Sequence, residues 1–353
     1  MLLYVHVPFC STRCRYCAFH SIPLGRGVDA ATSPVVRDYV DTLFLELAHW
    51  GDELGGSEVQ TVFFGGGTPS LLSPRIIGLT MERISKYFRL APKAEVTLEA
   101  NPESLRGGHR AAQYLDAGIN RLSIGVQSLD EGMLRLLGRP HKAQDSLHVA
   151  FLAREAGCAN INLDLMWGLP GQSVRQWLQT LKDVIRMTPD HISAYGLTLE
   201  PGTPLELDVE EGRLILPPER DQNIMFMEGA ALLEQQGYLH YEISNFARMG
   251  FQCRHNMGYW EGEDYLGFGP SATSTIGGQR WTNPASQRAW DMRARDGSLG
   301  QEVEVLDAQT RVLELLMLRL RTSRGLQVKA YREMTGRDFV RDHQRLVQAL
   351  HEN

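Results

Sequence analysis

Residues 6–20 read HVPFCSTRCRYCAFH and place Cys10, Cys14 and Cys17 within eight positions, separated by three and then two residues. Elsewhere the chain has only Cys158 and Cys253. Three readings compete for such a cluster. A structural zinc site prefers four ligands in two separated pairs, so one ligand would have to come from His6, His20 or a distant group. Plain core cysteines fit poorly, because Arg13, Arg15 and Tyr16 are interleaved with them. A [4Fe–4S] cluster on three thiolates leaves one iron without a protein ligand, open to chelation by a small molecule. This third reading best accounts for three thiols with no fourth. The run LLYVHV, residues 2–7, comes directly before and reads as a strand. The thiols would therefore follow the strand's C-terminal end, the face on which β/α barrels carry their active sites.

The same unit, a short β-rich run and then a helical pattern, recurs to about residue 200. After LLYVHV come VQTVFF, AEVTLE, RLSIGV, NINLDLM and HISAYGLTL, apolar runs of the kind expected of parallel strands covered on both faces. Between them, Val36, Val40, Leu43, Leu47, Trp50 and Leu54 mark one helical face, and Ser73–Pro74 reads as an N-cap followed by N1. Six β–α repeats imply right-handed crossovers and a parallel sheet. The expected fold is α/β, a partial (β/α)6 barrel with a small helical C-terminal domain. Residues 1–205 form the core, 206–300 an extension rich in glycine and aromatics, and 301–353 a helical end.

The 353 residues, 43% apolar and 22% charged, suffice for a large hydrophobic core, and the net charge of −6 gives no general attraction for nucleic acid. No stretch reaches the length of a transmembrane segment, and the first residues lack the features of a secretory signal. Five cysteines in so long a chain make no disulfide framework. A reducing, cytoplasmic setting is expected.

Polar residues recur at the strand ends. Gly65, Gly66 and Gly67 follow the second strand, where glycine lets backbone approach a ligand closely. Glu99 ends the third, Gln127 the fourth, Arg139 follows in LGRPH, and Asp164 lies late in the fifth. Singly, each is more often a buried structural group or a cap. Beside an open-iron cluster they outline a pocket for a zwitterionic, nucleoside-like ligand.

These motifs resemble the radical S-adenosylmethionine (SAM) enzymes. The likeness covers about residues 2–280: YVHVPFCSTRCRYCAF, FFGGGTPSLL, RLSIGVQSLDEGMLRLLGRPH, NLDLMWGLPGQS, SAYGLTLEPGTPL and YEISNFA. Within them the chain is similar to the oxygen-independent coproporphyrinogen oxidases, and in detail to their HemW branch of haem chaperones. The resemblance implies that Cys10, Cys14 and Cys17 hold the [4Fe–4S] cluster and that SAM binds its fourth iron. It matches Tyr4, Gly66 and Glu99 to contacts of that SAM. Tyr16, Gly67, Thr68, Gln127, Arg139 and Asp164 match positions that contact a second SAM in the oxidase. The implied chemistry is one-electron cleavage of SAM to methionine and a 5′-deoxyadenosyl radical, with the electron supplied by a donor such as flavodoxin or ferredoxin.

A further motif, CRHNMGYW at 253–260, matches the HNxxYW pattern of the HemW branch through His255, Asn256, Tyr259 and Trp260. A neutral imidazole ligates haem iron, and the two aromatics suit a macrocycle face. The bland alternative is an aromatic loop closing the barrel end, with His255 in an ordinary hydrogen bond. Two features point away from porphyrinogen decarboxylation. Phe19 stands where the oxidase has a fourth cysteine, and the first strand starts at residue 2, where the oxidase has a long preceding segment. The family's histidine in a GAHS-like segment is replaced by Thr273, and the C-terminal part stops at LVQALHEN, short of the expected winged-helix-like end. The expectation is a haem chaperone on a radical SAM scaffold, with haem and a haem-accepting client as partners, a homodimer allowed, and no nucleic acid or membrane span. A coproporphyrinogen III oxidase, or a methyl-transferring relative, is the rival.

Overall fold

The computed structural model describes residues 1–25, 27–107 and 109–352. The expected strands appear as β1 (Leu2–Val7), β2 (Glu58–Gly66), β3 (Arg89–Ala100), β4 (Arg121–Gln127), β5 (Ile161–Trp167) and β6 (His191–Gly196). They lie side by side in chain order, all parallel. After β6 come the short strands β7 (Leu239–Glu242) and β8 (Asn245–Ala247), then β9 (Tyr265–Phe268), β10 (Thr273–Ile276), β11 (Gln279–Thr282) and β12 (Glu304–Val305). β8 extends the sheet antiparallel beside β6, whereas β9 joins the other edge parallel to β1. The twelve strands run β12-β11-β10-β9-β1-β2-β3-β4-β5-β6-β8-β7, so the sheet is an open, partial barrel.

Its outer face is covered by α1 (Pro34–Leu54), α2 (Pro74–Tyr87), α3 (Arg110–Asp116), then, beyond α4 (Glu131–Leu137), by α5 (Ala143–Glu155) and α6 (Val174–Arg186). Ser73 caps α2 by accepting the Ile76 N–H at 3.3 Å, with Pro74 at the first helical position. The helices bury Tyr39, Leu43, Ile77, Ile84, Tyr114 and Trp177 against Val5, Val62, Leu98, Ile124, Leu163 and Ile192. These strand residues occupy alternate positions. The intervening ones, His6, Thr61, Glu95, Thr97, Arg121, Ser123, Asn162, His191 and Ser193, are equally buried and point to the concave face. The barrel interior is therefore polar, and the strands are two-sided in chemistry, where the sequence reading took both faces as apolar.

α7 (Pro204–Glu210) and α8 (Glu219–Gln235) follow β6, and Trp177 donates to the Met225 carbonyl at 2.9 Å to tie α8 to α6. α9 (Arg254–Glu261) lies under the N-terminal ends of the strands, and α10 (Gln287–Asp296) packs on α1. The helical end comprises α11 (Ala308–Arg319), α12 (Val328–Thr335), α13 (Phe339–Asp342) and α14 (Gln344–Glu352). It docks beside α9 through backbone bonds Ile243–Arg321 and Ser323–Tyr241, each 3.0 Å. No helix among the described residues is long and apolar enough to cross a membrane.

Candidate functional site

The barrel mouth is built from the C-terminal strand ends. Just past β1, Phe9–Cys10 pairs with Ile22–Pro23, closing residues 11–21 into a loop that carries Cys14 and Cys17. Arg15 anchors this loop by donating its backbone N–H to the Leu137 carbonyl and accepting from Leu205 N–H, both at 3.0 Å, and by pairing with Asp208. Tyr16 packs into a satellite core with Leu137, Met166, Leu169 and Leu205. The three thiols are free and half-buried. Burial pushes the Cys10 and Cys17 thiols up from their ordinary range. Among the described residues no three His, Cys, Asp or Glu side chains gather closely enough to hold a single metal ion.

Side chains from β2, β3 and the β4–α4 region converge on the loop. The Thr68 hydroxyl points at Cys10 Sγ at 3.6 Å, and Arg139 Nη1 at Cys14 Sγ at 3.5 Å. Asn101 joins the two, donating to Thr68 Oγ1 at 3.0 Å and accepting from Arg139 Nη2 at 2.5 Å. Arg139 also donates to the Gly125 carbonyl at 2.7 Å. Gln127 sits at a register shift between β4 and β5 with a positive φ of 63°, a strained setting for a non-glycine residue. Glu99 accepts the Gly66 N–H at 3.1 Å. Burial, reinforced by the nearby Asp164 carboxyl, pushes Glu99 up to about 8, and burial likewise raises Asp164. Two buried carboxyls thus lie near each other at this end of the barrel, each favouring its protonated form.

The glycine run has a different cause from the one its sequence suggests. A Cβ on Gly67 would lie 2.6 Å from the Phe9 carbonyl oxygen, and one on Gly66 2.6 Å from the His6 ring. Gly66 also has φ +108°, which favours glycine. The run is required by contact with the protein's own β1 and cluster loop.

The HNMGYW segment lies at the opposite end and forms α9. His255 is 1% exposed, with Nδ1 2.7 Å from Thr61 Oγ1 and Nε2 3.1 Å from the Tyr259 hydroxyl. Burial lowers its pKa to about 3, so the ring is neutral. The Glu95 carboxylate caps α9 by accepting the N–H groups of Arg254 and His255, each at 3.1 Å. His255 stacks on Phe63 at 5.0 Å, and Asn256, Tyr259 and Trp260 are half-buried. The helix is the barrel floor.

Residues 4–184 match the family model described as the radical SAM superfamily, and residues 306–353 match the HemN C-terminal domain. The chain belongs to the radical SAM superfamily. It is 34% identical to the heme chaperone HemW of Bacillus subtilis over 95% of this chain and 87% of that protein, which places it in the HemW branch. It is 44% identical to the mitochondrial radical S-adenosyl methionine domain-containing protein 1 of Bos taurus over 76% of this chain, while spanning 59% of that relative's length. The structure of the Escherichia coli coproporphyrinogen III oxidase HemN, described as a radical SAM enzyme, superposes with a TM-score of 0.81 at 25% identity, covering 97% of this chain and 80% of that one.

Membership of the radical SAM superfamily implies a [4Fe–4S] cluster and SAM. The mouth fits both. It offers three thiols with hydroxyl and guanidinium donors aimed at two of them, and a proton-holding carboxyl pair suited to a cationic, amino-acid-like ligand. Of the residues expected from the sequence, Cys10, Cys14, Cys17, Tyr16, Gly66, Gly67, Thr68, Glu99, Gln127, Arg139 and Asp164 lie around this mouth. Tyr4 lies just below it, its hydroxyl 3.1 Å from His6 Nδ1. Sequence reasoning did not single out Asn101, although EANPE placed it at a strand end. It also missed Glu95 and Arg121, whose signal was a polar residue at every second strand position, as in Glu95, Thr97 and Glu99.

Proposed function

We propose that this chain is a haem chaperone built on a radical SAM scaffold, binding haem and delivering it to haem proteins. The likeness to a heme chaperone over 95% of the chain carries this reading. Phe19 supports it: the side chain at the place of the oxidase's fourth cysteine is 69% exposed and presents nothing to a cluster. Cys10, Cys14 and Cys17 would hold the cluster, which when bound supplies one electron at a time to SAM. Thr68 points its hydroxyl at the Cys10 sulfur, which counters part of the rise that burial imposes on that thiol, and Arg139 donates to the Cys14 sulfur, so both anchor the loop. Tyr4, Gly66 and Glu99 are assigned to SAM, and Tyr16, Gly67, Thr68, Gln127, Arg139 and Asp164 to the pocket beyond it. His255, Asn256, Tyr259 and Trp260 are assigned to the haem-binding region. The partners are a haem-accepting client, a low-potential donor of the flavodoxin or ferredoxin type, and a second copy of the chain, in a cytoplasmic setting.

The test is an anaerobic haem titration of the cluster-reconstituted protein, followed by absorbance. Saturable one-to-one binding is expected, and binding no better than to an inert control protein sinks the proposal. The oxidase likeness over 97% of the chain favours a second reading, anaerobic decarboxylation of coproporphyrinogen III. Formation of protoporphyrinogen IX with 5′-deoxyadenosine would establish it.

A further inference from the structure

α9 divides its side chains between two environments. His255 and Tyr259 turn into the barrel, where they bond to each other. Arg254, Met257, Gly258 and Glu261, at helical spacings of three, four and seven, line a cavity of about 410 Å³ outside the floor. Tyr241 and Arg324 line it as well. The bridge Glu242–Thr322 and the Ser323–Tyr241 backbone bond join the C-terminal helices to the floor beside it. Arg254 and Arg324 are exposed, so the cavity opens to solvent.

We infer that this cavity is the haem seat, with the Met257 thioether as an iron ligand and Arg254 and Arg324 as partners of the propionates. The inference rests on the haem-chaperone reading and changes what His255 does within it. Both ring nitrogens of His255 are occupied, and its backbone N–H is held by Glu95. Ligation by that ring would require α9 to leave the floor, breaking these bonds together. A carrier that must load and release needs an accessible site that works without unfolding its own support. The cavity is one, and its volume falls in the usual range of roughly 300–1,000 Å³ for small-molecule sites. A planar macrocycle would seat one edge there and leave the other for a client.

The chemistry is suited to transfer. A thioether is soft, carries no proton and ligates haem iron in proteins, and a client's imidazole can displace it. Arg254 is steadied by the Lys93 carbonyl at 2.5 Å and Gln60 Oε1 at 3.1 Å, and Arg324 by Glu261 at 2.6 Å. A guanidinium has five N–H donors, so each keeps donors for a propionate. The wall holds two acids: Glu261 is already matched by Arg324 and by Arg319, and Glu263 is exposed at the rim.

The experiment titrates the full-length, cluster-reconstituted protein with ferrous and ferric haem, comparing wild type, Met257→Leu and the double variant Arg254→Gln/Arg324→Gln. Leucine conserves volume, and the arginines are at the surface, so the fold and cluster absorbance should persist. Met257→Leu should remove the thioether signature from the haem spectrum and weaken ferrous haem by about tenfold or more. The double variant should lose about tenfold or more for haem, and the dimethyl ester of haem should bind wild type just as weakly. Wild-type spectrum and affinity in both variants would overturn the seat while leaving the chaperone reading intact. Failure of wild type itself to bind haem would overturn both.

Discussion

The proposed contact between Glu99 and SAM makes binding at the mouth a proton exchange. In the ligand-free protein, burial and Asp164 hold the Glu99 pKa at about 8. At pH 7 the ratio of protonated to ionised carboxyl is therefore 10 to 1, so about 0.9 of a proton is bound. SAM carries a sulfonium, and a cation beside Glu99 favours the carboxylate, so binding should expel this proton. The apparent affinity then scales as 1/(1 + 10^(8−pH)). It should rise about ninefold from pH 6 to 7, about five- to sixfold from 7 to 8, and about twofold from 8 to 9. Calorimetry in buffers of different ionisation enthalpy counts the protons directly. Protons from SAM itself are released equally in Glu99→Gln, so the difference between the two proteins isolates the carboxyl and should be about 0.9 at pH 7. The same pKa has a stability consequence. The folded state keeps a proton that the unfolded chain gives up above the ordinary value of 4.5, so ligand-free stability should fall as pH rises from there through 8. Glu99→Gln should remove that part of the slope. Equal proton release by wild type and Glu99→Gln would refute the reasoning.

Three other substitutions probe the two ends of the barrel. Cys14→Ala should abolish the cluster absorbance and the reduced-cluster electron paramagnetic resonance signal, yet leave haem affinity within about twofold, because the floor is built without the cluster loop. Gly67→Ala drives a Cβ to 2.6 Å from the Phe9 carbonyl oxygen, so reconstituted iron per chain should fall sharply while the far-ultraviolet circular dichroism stays native. His255→Ala strips bonds from Thr61 and Tyr259 and empties a buried volume, a loss of about 3 kcal/mol, which thermal unfolding should register as a drop of roughly 4 °C. An unchanged melting temperature would mean that His255 does not hold the floor.

The cluster loop and the six parallel strands were legible because their signals are local. Cys10, Cys14 and Cys17 sit on one short loop, and each strand is a compact apolar run with a cap or turn after it. What the sequence concealed depends on pairing at a distance. Strand β9, more than 250 residues after β1, joins it parallel through Leu2–Tyr265 and Val5–Phe268, and no local pattern announces that partner. Asn101 matters because it reaches Thr68 and Arg139, which come from two other β–α connections. The glycine run was correctly placed at the mouth, but its need for glycine comes from Phe9 and His6, not from a ligand. The alternation in EVTLE and INLDL was visible as well. It reads as a polar face only once the sheet is known to curl, because an exposed face and a barrel interior give the same period of two.

The polar interior also explains how one chain can carry two separate chemistries. From Thr61 at the floor to Gly66 at the mouth is five residues of β2, roughly 16 Å at about 3.3 Å per residue. Between them the space is filled by side chains that bond to one another. Asn162 donates to Ser123 at 2.7 Å and to Ser193 at 3.0 Å, Ser123 donates to Asp164 at 3.1 Å, and His191 bridges Asn162 and Tyr241 at 2.6 and 2.7 Å. These bonds tie β4, β5 and β6 together across the barrel interior. A ligand at the mouth and one outside the floor therefore do not compete for space. Two series link them. One is the rings of Tyr4, Phe63 and His255, with centroid steps of 6.3 and 5.0 Å, continued upward by the Tyr4–His6 bond and by His6 to the His20 carbonyl, three residues past Cys17. The other is the hydrogen-bonded run Asp164–Ser123–Asn162–His191–Tyr241, whose last member lines the outer cavity. Any influence of cluster or SAM on haem release would pass through one of these series or around the outside of the sheet. The motif at 253–260 is where it would arrive.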